Sequence, residues 1–423
     1  MCSRFLQKFM AKIWMNISFC SKKTNFAVFG FLIFYLFESL WNNFGFFLHL
    51  NQKETYASWL INYRGGFIRR GLGGEIILGL SSLFGIPYTA IINFLTFTAW
   101  MILISFFITK FVQKKYPLFI LAMPFFLGET IFVDPSYFLR KDSLLILIFI
   151  SMLTLFFKKK PLHPLVLCLC LNALFIFGIL IHEVIFFFSF PILFLSCRHK
   201  NKSFYKSLLF FLPSIAAFIS CIINVQGEKI VTEMFARTPE LDPSLLGLLY
   251  IPFTEHFERI WSQVNDPSLT ATVLYSVYHI AFISFSSLNF DKIKINLAAS
   301  PKIDRNFLFC ILLLQFLSVL PVFCSAWDWG RWIFLWSASS FAYFLIADEN
   351  PFDEKILSKV DAILSSKWFQ KAGNNRILVF FITTLIGVQY QIPLEIEFFT
   401  RTPVYSVLEV ISKGVAYFKE SVF

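Results

Sequence analysis

Charge is what this sequence has least of. Of 423 residues, only 15% are Asp, Glu, Lys or Arg, whereas 57% are hydrophobic. Soluble domains carry about a quarter charged residues, so an ordinary soluble enzyme is excluded. Cysteine is present eight times, but in no CxxC pair and with no His at metal-ligand spacing. That argues against a disulfide framework and a zinc motif. Cys168, Cys170, Cys221, Cys310 and Cys324 lie in apolar runs and read as small core residues. Low-complexity tracts, internal repeats and the inverted repeat common in transporters are all missing. So is a glycine-rich loop of the kind that cradles a nucleotide phosphate on the cytoplasmic side.

What remains is a chain of apolar runs about twenty residues long, with 58 Phe. Backbone groups in lipid must be satisfied internally, and runs this apolar do so as helices. The expected fold class is therefore all-α: a polytopic integral membrane protein of about eleven (10–12) transmembrane helices with one helical outer loop. The net charge is +11. In a bilayer protein this reads first as the cytoplasmic Lys/Arg excess that sets topology, with the lipid bilayer as partner and no nucleic acid.

Six basic clusters mark the inside: 4–23, Lys110 to Lys115, Lys158–Lys160, Arg198–Lys206, Lys292–Arg305 and Lys355–Arg376. One threading keeps all six cytoplasmic. Residues 1–25 form an interfacial helix on the cytoplasmic surface, and 26–393 form the transmembrane domain. Its spans fall near 26–48, 91–112, 117–134, 143–158, 164–181, 184–197, 207–226, 271–290, 307–326, 333–347 and 377–393. Outer loops cover 49–90 and 227–270, and a tail, 394–423, reads as an outer-face amphipathic helix. The N-terminus is cytoplasmic. Residues 73–112 hold enough apolar residues for two helices, divided by Gly85, Pro87 and Tyr88. Residues 75–86 read as a half-helix lying at, or dipping into, the outer face; the alternative is two full spans, which would move Lys114 and Lys115 outside.

This threading puts the unusual sequences on one side. "NYRGGFIRRGLGGE" (62–75), "DPSYFLRKDS" (134–143), "HE" (182–183), the loop 227–270 and "DWGRW" (328–332) all land outside. Arg64, Arg69 and Arg70 are there against the positive-inside rule. Glycines admit close backbone approach, a helix starting at "GLGGE" attracts anions at its N-terminus, and guanidinium forks grip phosphate. The bland alternatives are contact with lipid headgroups and a Glu75–Arg70 pair. Asp134, Arg140, Lys141 and Asp142 sit at a helix corner, where Asp142 or Ser143 can cap the next helix. Arg140 and Lys141 are candidates to assist at a phosphate. His182 and Glu183 interrupt an apolar run. Glu183 is a candidate general base with a burial-raised pKa, or half of a pair that holds two helices together. Asp328, Trp329, Arg331 and Trp332 suit sugar hydroxyls and ring faces, or form an ion pair among interfacial anchors.

"GGFIRRGLGGE", "YFLRKDSLL", "HE" and "DWGRW", in this order among many spans, resemble bacterial surface-polysaccharide (O-antigen or capsule) polymerase-like membrane proteins. The layout is also similar to GT-C type glycosyltransferases that use polyprenyl-phosphate sugars. The resemblance covers about residues 26–345. It implies glycosyl transfer at the periplasmic face of the bacterial inner membrane, from a lipid-linked sugar or oligosaccharide, alongside other polysaccharide-assembly proteins. It assigns Arg64, Arg69, Arg70, Arg140 and Lys141 to phosphate, and Asp134, Asp142, His182, Trp329, Arg331 and Trp332 to sugar or acceptor. Glu183 or Asp328 would take the acceptor proton. The acidic residue of the first outer loop that the GT-C pattern requires is met only by Glu54 or Glu75. No cofactor is implied, and a divalent metal stays open. The rival class is a transporter or flippase of lipid-linked oligosaccharide.

Overall fold

In the computed structural model, the described residues are 53–114, 139–223, 232–234, 236–238, 305–323, 329–347, 358 and 362. They are helices joined by short turns, with no strand among them. Helix α1 is Lys53–Trp59, α2 Gly71–Phe84, α3 Tyr88–Lys114 and α4 Asp142–Phe156. Then follow α5 Pro164–Ile181, α6 Val184–Asn201, α7 Phe204–Phe210, α8 Leu212–Ile223, α9 Arg305–Phe323 and α10 Trp329–Ile346. Tyr88–Phe111 and Pro164–Ile181 are long and apolar enough to cross a membrane, and α7 with α8 makes a third span if counted as one. The described residues are thus all-helical, with two or three helices apolar enough to cross a membrane. The N-terminal helix, the tail, and the spans expected at 26–48, 117–134, 271–290 and 377–393 lie outside the described residues.

The break expected within 73–112 is present. Gly85 adopts φ 65°, the left-handed conformation that ends helices at low cost in glycine. Pro87 follows, and α3 begins at Tyr88. The α5–α6 corner is equally local. Pro164 opens α5 at a position where its missing N–H is harmless. His182 is extended and ends α5, and two residues later α6 begins. The two helices approach closely: a Cβ on Gly178 would overlap the Ile185 side chain.

The stretch expected as one span at 207–226 bends by 62° between α7 and α8. Pro213 cannot donate a helical hydrogen bond, and at the bend Asn172 of α5 takes the place of the Phe210–Ser214 backbone hydrogen bond. Its side-chain amide donates to the Phe210 carbonyl at 2.8 Å. Its carbonyl oxygen accepts from the Ser214 N–H and hydroxyl at 3.3 and 2.6 Å.

The main core joins α3, α4, α5, α6, α9 and α10 through Trp100, Phe107, Phe149, Phe175, Phe188, Val319, Trp336 and Tyr343. Trp100 meets Phe334, and Phe111 meets Phe341. A smaller apolar cluster joins α1, α2 and the start of α3 with Leu139 and Met234. It fastens the segment before α2 to the corner before α4, since the Trp59 indole N–H donates to the Leu139 carbonyl at 2.5 Å. Asn62 donates to the Met234 carbonyl at 3.1 Å, which draws part of the long loop over the same end.

Candidate functional site

Four separate sequence motifs converge at one end of the bundle: the starts of α2, α4 and α10 and the α5–α6 corner. The α2 start is built tightly. A Cβ on Gly74 would overlap the Ile61 carbonyl, and one on Gly71 would overlap the Tyr63 ring. Glycine at these positions is what lets the helix lie on the preceding segment. Arg70, the residue before α2, has φ 68°. A non-glycine residue in that region costs of order 1–3 kcal/mol and persists only when its surroundings hold it.

Here the holding contact is a fork. Arg70 Nε donates to Glu183 Oε1 and Oε2 at 3.1 and 2.9 Å, and Nη2 donates to Oε1 at 2.5 Å. Arg69 Nη1 lies 3.9 Å from the same carboxylate. Glu183 is 6% exposed. Burial alone would raise its pKa, but the charges of Arg70 and Arg69 and the Arg70 hydrogen bonds hold it well below the usual carboxylate range. The expectation of a burial-raised general base is therefore corrected: Glu183 is a fixed anion. The expected Glu75–Arg70 pair is also not formed. Glu75 instead accepts from the Tyr63 N–H at 2.8 Å and from Arg237 at 3.0 Å.

His182 Nδ1 accepts from the Val184 N–H at 3.3 Å, so the imidazole helps cap α6. An accepting Nδ1 leaves the proton on Nε2. Burial first, and then the nearby cations, push the His182 pKa well below its ordinary value. His182 and Glu183 are 3.5 Å apart, but with the imidazole neutral this contact is not an ion pair.

A second fork crosses the bundle. Arg331 Nε and Nη2 donate to the two Asp142 oxygens at 2.7 and 2.8 Å. Both side chains are buried, and the guanidinium also lies 4.9 Å from the centre of the Trp332 ring. Asp142, considered as a cap for α4, spends its carboxylate on Arg331 instead, and α4 has no side-chain cap. Among the described residues, the buried Trp332 indole N–H and Ser143 hydroxyl have no hydrogen-bond partner.

Lys141 lies among these groups. It is 3% exposed. Its Nζ is 3.4 Å from the Ile181 carbonyl and 5.3 Å from the centre of the Trp59 ring. Among the described residues no carboxylate lies within salt-bridge distance of it. Its Nζ also faces the first turn of α2, 3.6 Å from where a Cβ on Gly73 would sit. Burial first, then Arg70 and Arg331 against Glu183, bring its pKa down to about 7.

Compared with protein-family models, curated proteins and solved structures, the chain matches none. The chemistry must be read from the geometry alone.

Of the predicted residues, Arg69, Arg70, Lys141, Asp142, His182, Glu183, Arg331 and Trp332 share this end. Glu75 lies beside them, tied to Arg237. Arg64 is exposed on the turn before α2, and Arg140 is half-buried at the corner before α4. Asp134 and Asp328 are outside the described residues, and Trp329 opens α10. Trp59, Asn62, Tyr63 and Arg237 were not singled out in the sequence. Trp59 sits just ahead of the arginine motif and Asn62 opens it, so a buried aromatic and amide were findable by adjacency. Arg237 gave no signal. No group of three metal-ligating side chains occurs among the described residues.

Proposed function

We propose that this protein is a glycosyltransferase or polysaccharide polymerase. Its donor is a sugar or oligosaccharide linked to polyprenyl (pyro)phosphate, and transfer takes place at the outer face of a bacterial inner membrane. The supporting observation is Lys141, a buried amine beside two arginine forks that lies near the start of α2 and has no carboxylate partner among the described residues. A buried charge without a counter-ion is expensive, and a phosphate group supplies the counter-ion. In this reading Arg69, Arg70 and Lys141 bind the phosphate and stabilise charge developing on the leaving group. Arg140 lies at the same corner. Glu183 and Asp142 keep two arginines in place. Asp328 takes the acceptor proton, and Trp329 and Trp332 flank the sugar. The eleven-crossing threading with a cytoplasmic N-terminus belongs to this proposal.

The test is transfer by purified full-length protein in detergent, with lipid-linked oligosaccharide as donor. Wild type should form elongated product, and Arg69→Ala/Arg70→Ala should not. Asp328→Asn should bind donor but lose transfer by about 10²–10⁴-fold. A folded wild type that yields no product from its cognate substrate, yet moves that substrate across a vesicle membrane, would sink the enzyme and leave a transporter.

A further inference from the structure

We propose that the end of the bundle opposite the buried forks binds anionic phospholipid. The headgroup phosphate sits between the α4–α5 turn and the α6–α7 corner, and the acyl chains lie on α5 and α7. This site is independent of the reaction at the other end.

Two turns far apart in sequence are held together there. The Lys200 Nζ in the last turn of α6 donates to the Phe156 carbonyl at the end of α4, 3.1 Å away. Phe194 of α6 meets Phe204 of α7 edge-on, with ring centres 5.3 Å apart. Asn172 ties α5 to the Phe210 carbonyl of α7. The result is one rim on which Lys158, Lys159, Lys160, Arg198, Lys202 and Lys206 are all exposed. Between residues 157 and 206 the sole carboxylate is Glu183, which is buried in the arginine fork at the opposite end. Among the described residues no carboxylate pairs with any of the six cations.

Local structure accounts for part of this charge. Arg198 stands in the last turn of α6, where the helix dipole favours a cation. Lys206 stands in the first turn of α7, where the dipole disfavours one. Lys202 closes α6 at φ 50°, a left-handed position that glycine takes at lower cost. These two charges run against local preference, so their counterpart lies outside the chain.

The neighbouring apolar side chains identify that counterpart as lipid. Tyr205 and Leu209 of α7 are 76% and 66% exposed, and Leu165 and Leu169 in the first turns of α5 are each 62% exposed. Helix α5 is long and apolar enough to cross a membrane, and it begins four residues after Lys160. Cations at the start of a span, followed by exposed leucines, match the two parts of a phospholipid. Lys and Arg at this level are drawn to an anionic membrane surface, and the leucines meet the chains. A water-soluble acidic partner would leave the leucines uncovered.

The test titrates full-length protein in nonionic detergent with phosphatidylglycerol, or with phosphatidylcholine carrying the same chains. Retained lipid and the thermal midpoint are recorded. Wild type should retain phosphatidylglycerol preferentially and melt higher with it, and the preference should fade as salt rises. Lys158→Gln/Lys159→Gln/Lys160→Gln and Lys202→Gln/Lys206→Gln should each weaken phosphatidylglycerol binding, by up to about fivefold per lysine. Their midpoints without lipid should stay at the wild-type value, and the matching Lys→Arg variants should keep the preference. Inorganic phosphate at the same concentration should not reproduce the stabilisation. Equal retention of the two lipids by wild type, or a preference that salt does not weaken, overturns the proposal without any substitution. A preference that survives loss of all five lysines overturns it by placing the lipid elsewhere. Stabilisation by inorganic phosphate alone overturns the lipid assignment and leaves a surface for free anions.

Discussion

The two ends of α4 and α6 carry the same kinds of charged residue and treat them in opposite ways. At the starts of these helices Lys141, Asp142 and Glu183 are buried, and both carboxylates are gripped by arginines from distant segments. At the other ends Lys158–Lys160, Arg198 and Lys200 are exposed. Lys200 lays its stem on the aromatic rim: its Nζ is 3.1 Å from the Phe156 carbonyl and 4.3 and 5.1 Å from the centres of the Phe156 and Phe157 rings. A long stem laid on apolar rings with its charged head directed outward is ordinary snorkelling. Charges that are desolvated and over-determined are a different matter, because removing one partner strands the other.

This difference sets the order of expected effects. Asp142→Ala should be the most damaging single change. It leaves Arg331 charged and buried, at a cost of about 3–5 kcal/mol, visible as a large drop in thermal midpoint of the purified protein. Replacing the pair together, Asp142→Leu with Arg331→Met, should be closer to wild type than either single variant. If the singles simply add, the fork is not a coupled unit. Next is Gly74→Ala, whose Cβ meets backbone rather than a flexible side chain. About 1–3 kcal/mol should be lost, whereas Gly79→Ala, with open space around it, should be neutral or stabilising in the same melt. At the opposite end Lys200→Ala should change stability by less than about 1 kcal/mol. A larger loss there would erase the contrast.

The smallest effect is a pH slope. The folded pKa of Lys141 lies below its unfolded value, so the unfolded chain binds more protons between the two. Stability of the ligand-free protein should therefore rise as pH rises from about 7 towards about 10, and Lys141→Met should flatten that rise. A midpoint-against-pH curve unchanged by the substitution would remove Lys141 as its source.

Local signals in the sequence led to correct local structure. Gly85-x-Pro87 ended one helix and started another, and Pro164 and the His182-Glu183 interruption bounded α5 where the pattern placed it. Pairings across the bundle were not legible. The sequence offered neighbours, Glu75 with Arg70 and Asp328 with Arg331. The folded chain instead pairs Arg70 with a carboxylate 113 residues away; Arg331 is forked with one 189 residues away, and Asp328 lies outside the described residues. A guanidinium at a helix start can reach several segments, and which one depends on packing that no spacing rule encodes. The bend after α7 was hidden for a similar reason. Pro213 signals a weakness, but the groups that bridge the bend belong to Asn172 in α5. The convergence of four motifs was foreseen only because one charge-based threading put them on one side.

That sidedness carries the account, and it can be measured directly. Single cysteines are placed at Arg64, exposed beside the forks, and at Lys159, exposed at the opposite end, in an otherwise cysteine-free chain. Intact cells are then treated with a membrane-impermeant thiol reagent. The account predicts modification at 64 from outside and modification at 159 only after the membrane is opened. Labelling of 159 in intact cells, with 64 protected, would turn the buried charged end to the cytoplasm and contradict it.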